Sequence, residues 1–322
     1  MQAMSPAPDT LVTGSAGHLG HALMLELPKY GFTPIGLDIK ASELTSLVGS
    51  ISDREFVASV FKEYNIRYVL HTATLHKPHI VSHTQSEFVE TNIQGTLNLL
   101  EESNPEAFIF TSTTSTFGKA LKSANGVAWT TETVVPIPKN IYGVTKIAAE
   151  DLCMLVQEQR KFPVLVLKVS RFFPEGDDDP EQDIPDVNLK VCELLYRRVD
   201  IVDVVTAHVA ALRHAKQIGW AKYIISAPTP FERSAMQGEP MQILQQVRPR
   251  HAAIVKKLGW KLPHLDRVYD SSKAMKELLW KPMYTFDKAI ENIEQGQEWR
   301  SELAIRIGRR GYHARPTGVY TL

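Results

Sequence analysis

The sequence has little of what marks secreted, membrane-spanning or nucleic-acid-binding proteins. It contains two cysteines, Cys153 and Cys192, too few and too far apart to predict a disulfide framework or a zinc site. Thirty-six basic side chains balance thirty-six acidic ones, so no charge excess favours nucleic acid or an anionic membrane. The first nine residues lack the basic and apolar segments of a signal peptide, and no run approaches the roughly 18 apolar residues of a membrane span. We therefore expect a cytoplasmic protein with a small-molecule partner, no nucleic acid and no membrane.

Short apolar strand patterns alternate with helical patterns through the first 170 residues. Strands are predicted at 11–13, 33–38, 67–73, 107–111 and 164–169, and helices from about residue 19 and at 55–62, 87–103 and 142–160. This alternation predicts an α/β fold with a doubly wound parallel (Rossmann) sheet over residues 1–170. Residues 171–322 are mixed, with a helix at 203–214 and a strand at 222–226. We expect them to form a small C-terminal substrate-facing lobe and to return elements to the core.

Residues 13–20, TGSAGHLG, follow the first predicted strand. Gly14 and Gly17 remove Cβ atoms where the chain turns, and Gly20 lets the next helix lie close to the sheet. Amide groups at the helix start then face outward, where a pyrophosphate can bind. The second strand ends at Asp38, which can accept hydrogen bonds from an adenosine ribose and repels a 2′-phosphate, although Lys40 offsets part of that repulsion. The pattern predicts NAD rather than NADP, with an ordinary glycine-rich turn as the alternative.

Tyr142 and Lys146 are four residues apart and so share one face of a predicted helix. A neighbouring ammonium favours the phenolate, so we expect Lys146 to move the pKa of Tyr142 from near 10 toward the working range of a general base. The helix begins at the end of the sheet where such folds bind ligands. Earlier in the chain, at the end of the strand predicted at 107–111, residues 111–116 form a hydroxyl cluster that could hold a substrate oxygen. The alternative is a surface tyrosine beside a solvated lysine.

Taken in order, these segments resemble the extended short-chain dehydrogenase/reductase superfamily, in its NAD-dependent epimerase/dehydratase group. The segments that carry the resemblance are residues 13–20, 91–96 (TNIQGT), 111–118, 142–146 (YGVTK), 199–205 (VDIVDVV) and 272–282. Together they cover most of the chain. They are specific for the superfamily but not for a substrate.

The resemblance implies a role for each matching residue. Tyr142 would be the general acid/base, Lys146 would tune it and hold the nicotinamide ribose, and Thr113 would be the catalytic Ser/Thr. The implied cofactor contacts are Gly14, Gly17, His18 and Leu19 at the pyrophosphate, Asp38 at the ribose, Ile51 at the adenine, Thr72 and Ala73 at the middle of the dinucleotide, and Asn92 with Tyr142 and Lys146 near the nicotinamide. The family also implies a homodimer through helix 142–160.

The chain departs from the family pattern where an adenine and a substrate would bind. Ser50 replaces an acidic residue before the adenine contact, and the family's Arg-x-Phe-Asn motif appears as residues 171–174, RFFP. The segment 171–198 is also short for a nucleotide-sugar site. The candidate substrate contacts are His76, Lys77, Thr113, Thr114, Phe173 and Glu175. The histidines after the third predicted strand form neither HxH nor HExxH, so no metal site is expected, and His71 is expected to be a core residue.

Three functions remain open from the sequence. The leading one is an NAD-dependent oxidoreductase that transfers a hydride to or from a small polyhydroxylated or carbonyl substrate, with Tyr142 as acid/base. The first alternative is an NAD-retaining sugar or nucleotide-sugar epimerase, which returns the hydride to the same molecule. The second is a non-catalytic dinucleotide-sensing protein, against which the complete Thr113, Tyr142 and Lys146 set weighs.

Overall fold

The computed structural model describes residues 7–121, 126–172, 183–235 and 238–308. Nine strands lie in this part of the chain: β1 Thr10–Thr13, β2 Pro34–Asp38, β3 Leu47–Val48, β4 Tyr68–His71, β5 Ala107–Thr113, β6 Ala128–Thr130, β7 Val164–Val169, β8 Trp220–Ile225 and β9 Arg267–Tyr269. The helices are α1 His18–Glu26, α2 Arg54–Glu63, α3 Gln85–Val89, α4 Gly95–Glu102, α5 Ile141–Arg160, α6 Asp186–Glu193, α7 Ile201–Ile218, α8 Pro240–Val247, α9 Pro249–Lys257, α10 Ser272–Glu277, α11 Phe286–Glu294 and α12 Glu302–Ile307. A π-helical turn, Glu90–Gln94, joins α3 to α4. Short 3₁₀ helices span Leu27–Tyr30, Lys77–Val81, Thr114–Thr116, Lys119–Leu121 and Arg233–Ala235.

Seven strands form one parallel sheet in the order β3-β2-β1-β4-β5-β7-β8. Thr13, at the end of β1, lies opposite Leu37 on one side and His71 on the other. The chain moves outward from β1 to β2 and β3 and then returns to β4 on the far side. Loops after β1 and β4 therefore leave in different directions and open a crevice at the carboxyl ends of these strands. The predicted doubly wound Rossmann sheet is confirmed.

Helices cover both faces of this sheet. On one face α1 and α7 bury residues such as Leu23 and Val205 against the strands, and on the other α2, α4 and α5 bury Val57, Leu99 and Val156. All six residues of β7 are buried, which is typical of a central parallel strand with helices on both sides. The two apolar cores hold the crevice-forming strands in a fixed register.

A smaller lobe is built mainly from residues after 170. Strand β6 pairs with β9 in a separate two-stranded parallel sheet. A third apolar core, which includes Leu195, Leu244 and Phe286, joins α6, α8, α9 and α11. Strand β8 and helix α7 return to the main sheet, so this half of the chain contributes to both parts. The boundary at residue 170 and the substrate-facing role of the lobe stay predictions.

Several elements differ from the sequence-based expectation. The helix predicted at 87–103 begins two residues earlier and contains the π-helical turn. Strands β3, β6 and β9 were not predicted, because two or three residues are too few to show an alternating pattern. Among the described helices, none is both long and apolar enough to cross a membrane.

Candidate active site

The glycine turn closes tightly against the loop after β4. Gly14 has φ +76°, and a Cβ at this position would lie 2.8 Å from the backbone nitrogen of Ala73. A Cβ on Gly20 would lie 1.9 Å from the carbonyl oxygen of Gly14, so α1 can start this close only with glycine there. Gly17 precedes α1 without a side-chain cap. The first amides of α1 therefore face the crevice as an anion-binding helix terminus.

Asp38 lies at the end of β2 beside this turn. Its carboxylate accepts hydrogen bonds from the backbone amides of Ala16 at 3.0 Å and Lys40 at 2.9 Å. Across the crevice Ile51 is buried against α4, where a Cβ on Gly95 would lie 2.6 Å from its side chain. The carboxylate thus lies where a ribose beside the glycine turn would meet it. Ile51 provides an apolar wall next to it.

Thr13 and His71, which the sequence did not mark as functional, hold the loop after β4 in place. The hydroxyl of Thr13 accepts from the amides of Thr72 and Ala73, both at 3.2 Å, and the Thr72 hydroxyl donates to the Thr13 carbonyl. His71 hydrogen bonds to Thr13 through Nδ1 at 2.8 Å and to Thr96 through Nε2 at 2.9 Å. Burial, and then the nearby Lys146, hold the pKa of His71 well below its usual value. The expectation that His71 is a core residue is confirmed.

Asn92 connects the same loop to helix α5. It lies in the π-helical turn, a local widening that is frequent at functional sites. Its amide oxygen accepts from Thr74 and from the amide of Leu75, and its amide nitrogen donates to the carbonyl of Leu75 and to the hydroxyl of Thr145. Because every bond is made inside the protein, Asn92 positions the loop and α5 relative to each other.

Tyr142 and Thr113 meet at the end of β5. Asn140 caps α5 by accepting from the amide of Gly143, which places Tyr142 in the first turn of the helix. Burial raises the pKa of Tyr142 to about 12, and the nearby side chain of Thr113 offsets only part of that rise. This direction is opposite to the one expected from the sequence, because burial dominates and Lys146 is not among the groups that act on the Tyr142 pKa.

Lys146 lies one turn further along α5 and is almost fully buried. Its ammonium lies 4.2 Å from the centre of the Phe110 ring, a cation–π contact. Burial lowers the pKa of Lys146 to about 7, although Glu150 acts to raise it. In the protein without cofactor, Lys146 therefore changes its charge near neutral pH. Nearby charges can therefore change the protonation state of Lys146.

The candidate substrate residues lie in different surroundings. His76 borders the groove, and its ring packs edge to face on His79 at 4.4 Å. Burial lowers the pKa of Lys77, and four nearby cations, of which Arg171 has the largest effect, lower it further. Thr114 is buried in a 3₁₀ turn, away from the groove. Phe173 and Glu175 lie outside the described residues.

One groove joins most of the predicted cofactor residues. It runs along the carboxyl ends of β1, β2, β4 and β5 and includes Gly14, Gly17, His18, Leu19, Asp38, Ile51, Thr72, Ala73, His76 and Tyr142. Asn92 and Lys146 lie buried behind its wall. In residues 7–121, 126–172, 183–235 and 238–308, no three His, Cys, Asp or Glu side chains are placed to hold a metal ion.

Comparison with known families identifies this arrangement. Residues 10–222, about two thirds of the chain, match the model of the NAD dependent epimerase/dehydratase family. The chain belongs to this family. Membership confirms the resemblance found in the sequence and supports NAD as the cofactor.

Relatives match the chain over almost its whole length. A UDP-glucose 4-epimerase of Dictyostelium discoideum is 25% identical over 348 residues, covering 92% of this chain and 97% of that protein. A dTDP-D-glucose 4,6-dehydratase of Mus musculus is 28% identical over 327 residues, covering 90% of this chain and 87% of that protein. Among solved structures, the UDP-glucose 4-epimerase of Thermotoga maritima with UDP-glucose has a TM-score of 0.61 at 22% identity, covering 89% of this chain and 99% of that one. The structural likeness confirms the fold.

Proposed function

We propose that this protein is an NAD-dependent oxidoreductase that transfers a hydride to or from a hydroxyl-bearing carbon of a small polyhydroxylated or carbonyl substrate. The observation that carries the proposal is the position of Tyr142 in the wall of the groove, with the Thr113 side chain near it and Lys146 one turn away on the same helix. An acid/base phenol next to a second hydroxyl is suited to removing a proton from a substrate alcohol while holding its oxygen.

The groove residues fit a dinucleotide. Gly14 and Gly20 leave no space for a Cβ, so the turn can approach a pyrophosphate with its backbone, and the uncapped start of α1 supplies amides. Asp38 would accept from the adenosine ribose, and Ile51 would contact the adenine. When bound, NAD accepts or returns the hydride, and its cationic nicotinamide favours ionisation of Tyr142.

The protein's own groups would handle the proton. Tyr142 takes it from the substrate hydroxyl during oxidation and gives it back during reduction, while Thr113 holds the reacting oxygen. A charged Lys146 favours the phenolate, opposing the rise in the Tyr142 pKa that burial causes. Because Lys146 has a pKa of about 7 in the cofactor-free protein, its charge state is sensitive to the groups around it.

The variant Tyr142→Phe tests the mechanism. It keeps the ring in its buried position and removes only the hydroxyl, so we expect NAD binding within about twofold of wild type and turnover reduced at least about a hundredfold. Turnover would be followed at 340 nm with a panel of sugars, polyols and sugar nucleotides, and by chromatography of the products. Leu244→Ala, a buried change in the third apolar core and outside the groove, is the control for general loss of packing. Wild-type turnover in Tyr142→Phe would disprove the role of Tyr142.

A second candidate is an epimerase that returns the hydride to the same substrate molecule. The observation that favours it is the near full-length match to UDP-glucose 4-epimerases. Freshly purified protein would be denatured and filtered, and the released nicotinamide cofactor identified by mass. Near-stoichiometric NAD supports the epimerase, whereas empty protein that binds added NAD supports the dehydrogenase. NADP would contradict the role given to Asp38.

The homodimer predicted from the family also remains a proposal. Helix α5 exposes Val144 and Leu155, each 47% accessible, and α3 exposes Val89 beside it. Such apolar side chains on adjoining helices favour packing against a second copy. We expect light scattering to give about twice the chain mass of 36.2 kDa. Changing both α5 residues to Glu should give monomers.

A further inference from the structure

Glu150 is a charged residue in the protein interior that the proposed chemistry does not use. It lies on α5 one turn beyond Lys146 and has no solvent exposure. Its carboxylate accepts from the hydroxyl of Ser112, from the ammonium of Lys168 at 2.6 Å and from that of Lys222 at 2.9 Å. These donors come from β5, β7 and β8. One carboxylate therefore joins α5 to three neighbouring strands.

Lys168 extends this network to the predicted catalytic threonine. It lies within the apolar strand β7, yet its ammonium is buried and also donates to the Thr116 hydroxyl at 3.0 Å. That hydroxyl in turn donates to the carbonyl oxygen of Thr113 at 2.8 Å. Ser112, the neighbour of Thr113, is bound directly by Glu150. The segment that presents Thr113 is thus fixed to the helix that presents Tyr142.

Burying this ion pair costs free energy that an apolar pair would not. Desolvating two charges often cancels or exceeds their mutual attraction, and well-packed apolar residues of similar size are frequently as stable. The other five residues of β7 are valine or leucine, so a further apolar residue in place of Lys168 would suit the strand. Stability alone therefore does not account for the pair. Its position beside Lys146 and Thr113 suggests a role in the site.

We propose that Glu150, together with Lys168, is a positioning pair that fixes the Thr113 segment against α5 and acts on the buried amine of Lys146 one helical turn away. Its importance for turnover rests on the proposed function, whereas its effect on Lys146 does not.

The groups that act on Lys146 come from every element packed around it. They are Glu150 and Cys153 on α5, Lys168 on β7 and His71 on β4, and the Phe110 ring on β5 faces the ammonium. Glu150 favours the charged form of Lys146, and Lys168 disfavours it. The two members of one ion pair therefore act on Lys146 with opposite signs.

Because Glu150 and Lys168 act on Lys146 with opposite signs, the proposal can be tested without a substrate. Cofactor-free protein would be labelled with trace acetic anhydride between pH 5 and 11, and acetylation of the peptide containing Lys146 would be quantified by mass spectrometry. Glu150→Gln should lower the apparent pKa of Lys146 by about one unit, and Lys168→Met should raise it by a smaller amount. Glu277→Gln removes the partner of Tyr223 on β8 and should leave the Lys146 titration unchanged.

The results separate a tuning role from a purely structural one. If the pair only held the fold together, either variant would loosen the same contact and move the pKa of Lys146 in the same direction. Shifts of equal sign, or no shift in either variant, would overturn the proposal. A fall of the Lys146 pKa in Glu150→Gln decides on its own, because loosened packing would admit water and raise that pKa. If Tyr142→Phe proves fully active while the labelling shifts appear as expected, the proposed catalysis fails and the Glu150 inference stands.

Discussion

Replacing Lys146 with methionine should stabilise the cofactor-free protein, and more at low pH than at high pH. Burial lowers the pKa of Lys146 to about 7, against 10.5 for an unperturbed lysine. Between these values the unfolded chain binds a proton that the folded protein does not. The free energy of unfolding therefore rises with pH across this range. Below pH 7 the full cost of burying the charge is present.

The magnitude follows from the size of the shift. A difference of 3.5 pKa units, from 10.5 to about 7, corresponds to about 5 kcal/mol at pH 6, and the same linkage leaves about 2 kcal/mol at pH 9. Methionine removes this cost at both pH values. At pH 6, where the lysine is charged, it also loses the cation–π contact with Phe110, worth about 1 kcal/mol. The variant should therefore gain about 2 kcal/mol more over wild type at pH 6 than at pH 9.

Urea unfolding of both proteins at pH 6 and pH 9 measures this difference, with the cofactor removed. Comparison at two pH values cancels packing changes, which do not depend on pH. Lys62→Met, at an exposed side chain on α2, is the control and should follow wild type at both pH values. A gap between Lys146→Met and wild type that is equal at pH 6 and pH 9 would refute the reasoning. It would mean that Lys146 keeps its charge in the folded protein.

Further changes test the cofactor groove and the core. Gly20→Ala places a Cβ 1.9 Å from the carbonyl oxygen of Gly14. We expect the melting temperature in thermal melts to be lower by about 5 °C or more, and the NAD affinity in titrations to be reduced at least about tenfold. Asp38→Ser removes the charge that repels a 2′-phosphate, so the preference for NAD over NADP in binding titrations should fall about tenfold; an unchanged ratio would contradict this role. Burial lowers the pKa of His208 to about 4. The free energy of unfolding of wild type should therefore fall by about 3 kcal/mol in total as the pH falls from about 6.5 to 4. His208→Gln should remove this part of the acid sensitivity, measured by urea titrations at pH 7 and 4.5.

Much of the sheet and groove could be predicted because local patterns determine them. The apolar runs of β4, β5 and β7 and the glycines of residues 13–20 carry their own periodicity and turn chemistry. The predicted helix start at Tyr142 is one residue from the start of α5. Most of the residues that the family motifs predict as cofactor contacts line this groove, and their roles stay predictions.

The contacts that orient the site could not be predicted, because their partners are distant in sequence. The bonds of His71 reach Thr13, 58 residues away, and Thr96, 25 residues away. Lys168 is one charged residue in an apolar strand, and its pairing with Glu150 depends on β7 lying beside α5. The direction of the Tyr142 pKa shift likewise depends on burial, which no local spacing reveals.

The main-chain pairing of Arg171 with Arg198 has a consequence for how such proteins diversify. Val199 donates to the carbonyl of Arg171, and Arg171 donates to that of Arg197, so the chain leaves the end of β7 and returns to the same point before α7. The ends of the segment 172–197 are thus joined by backbone hydrogen bonds, which do not depend on the identity of the side chains there. We expect that the length or composition of this segment can change while β7 and α7 keep their places in the main sheet.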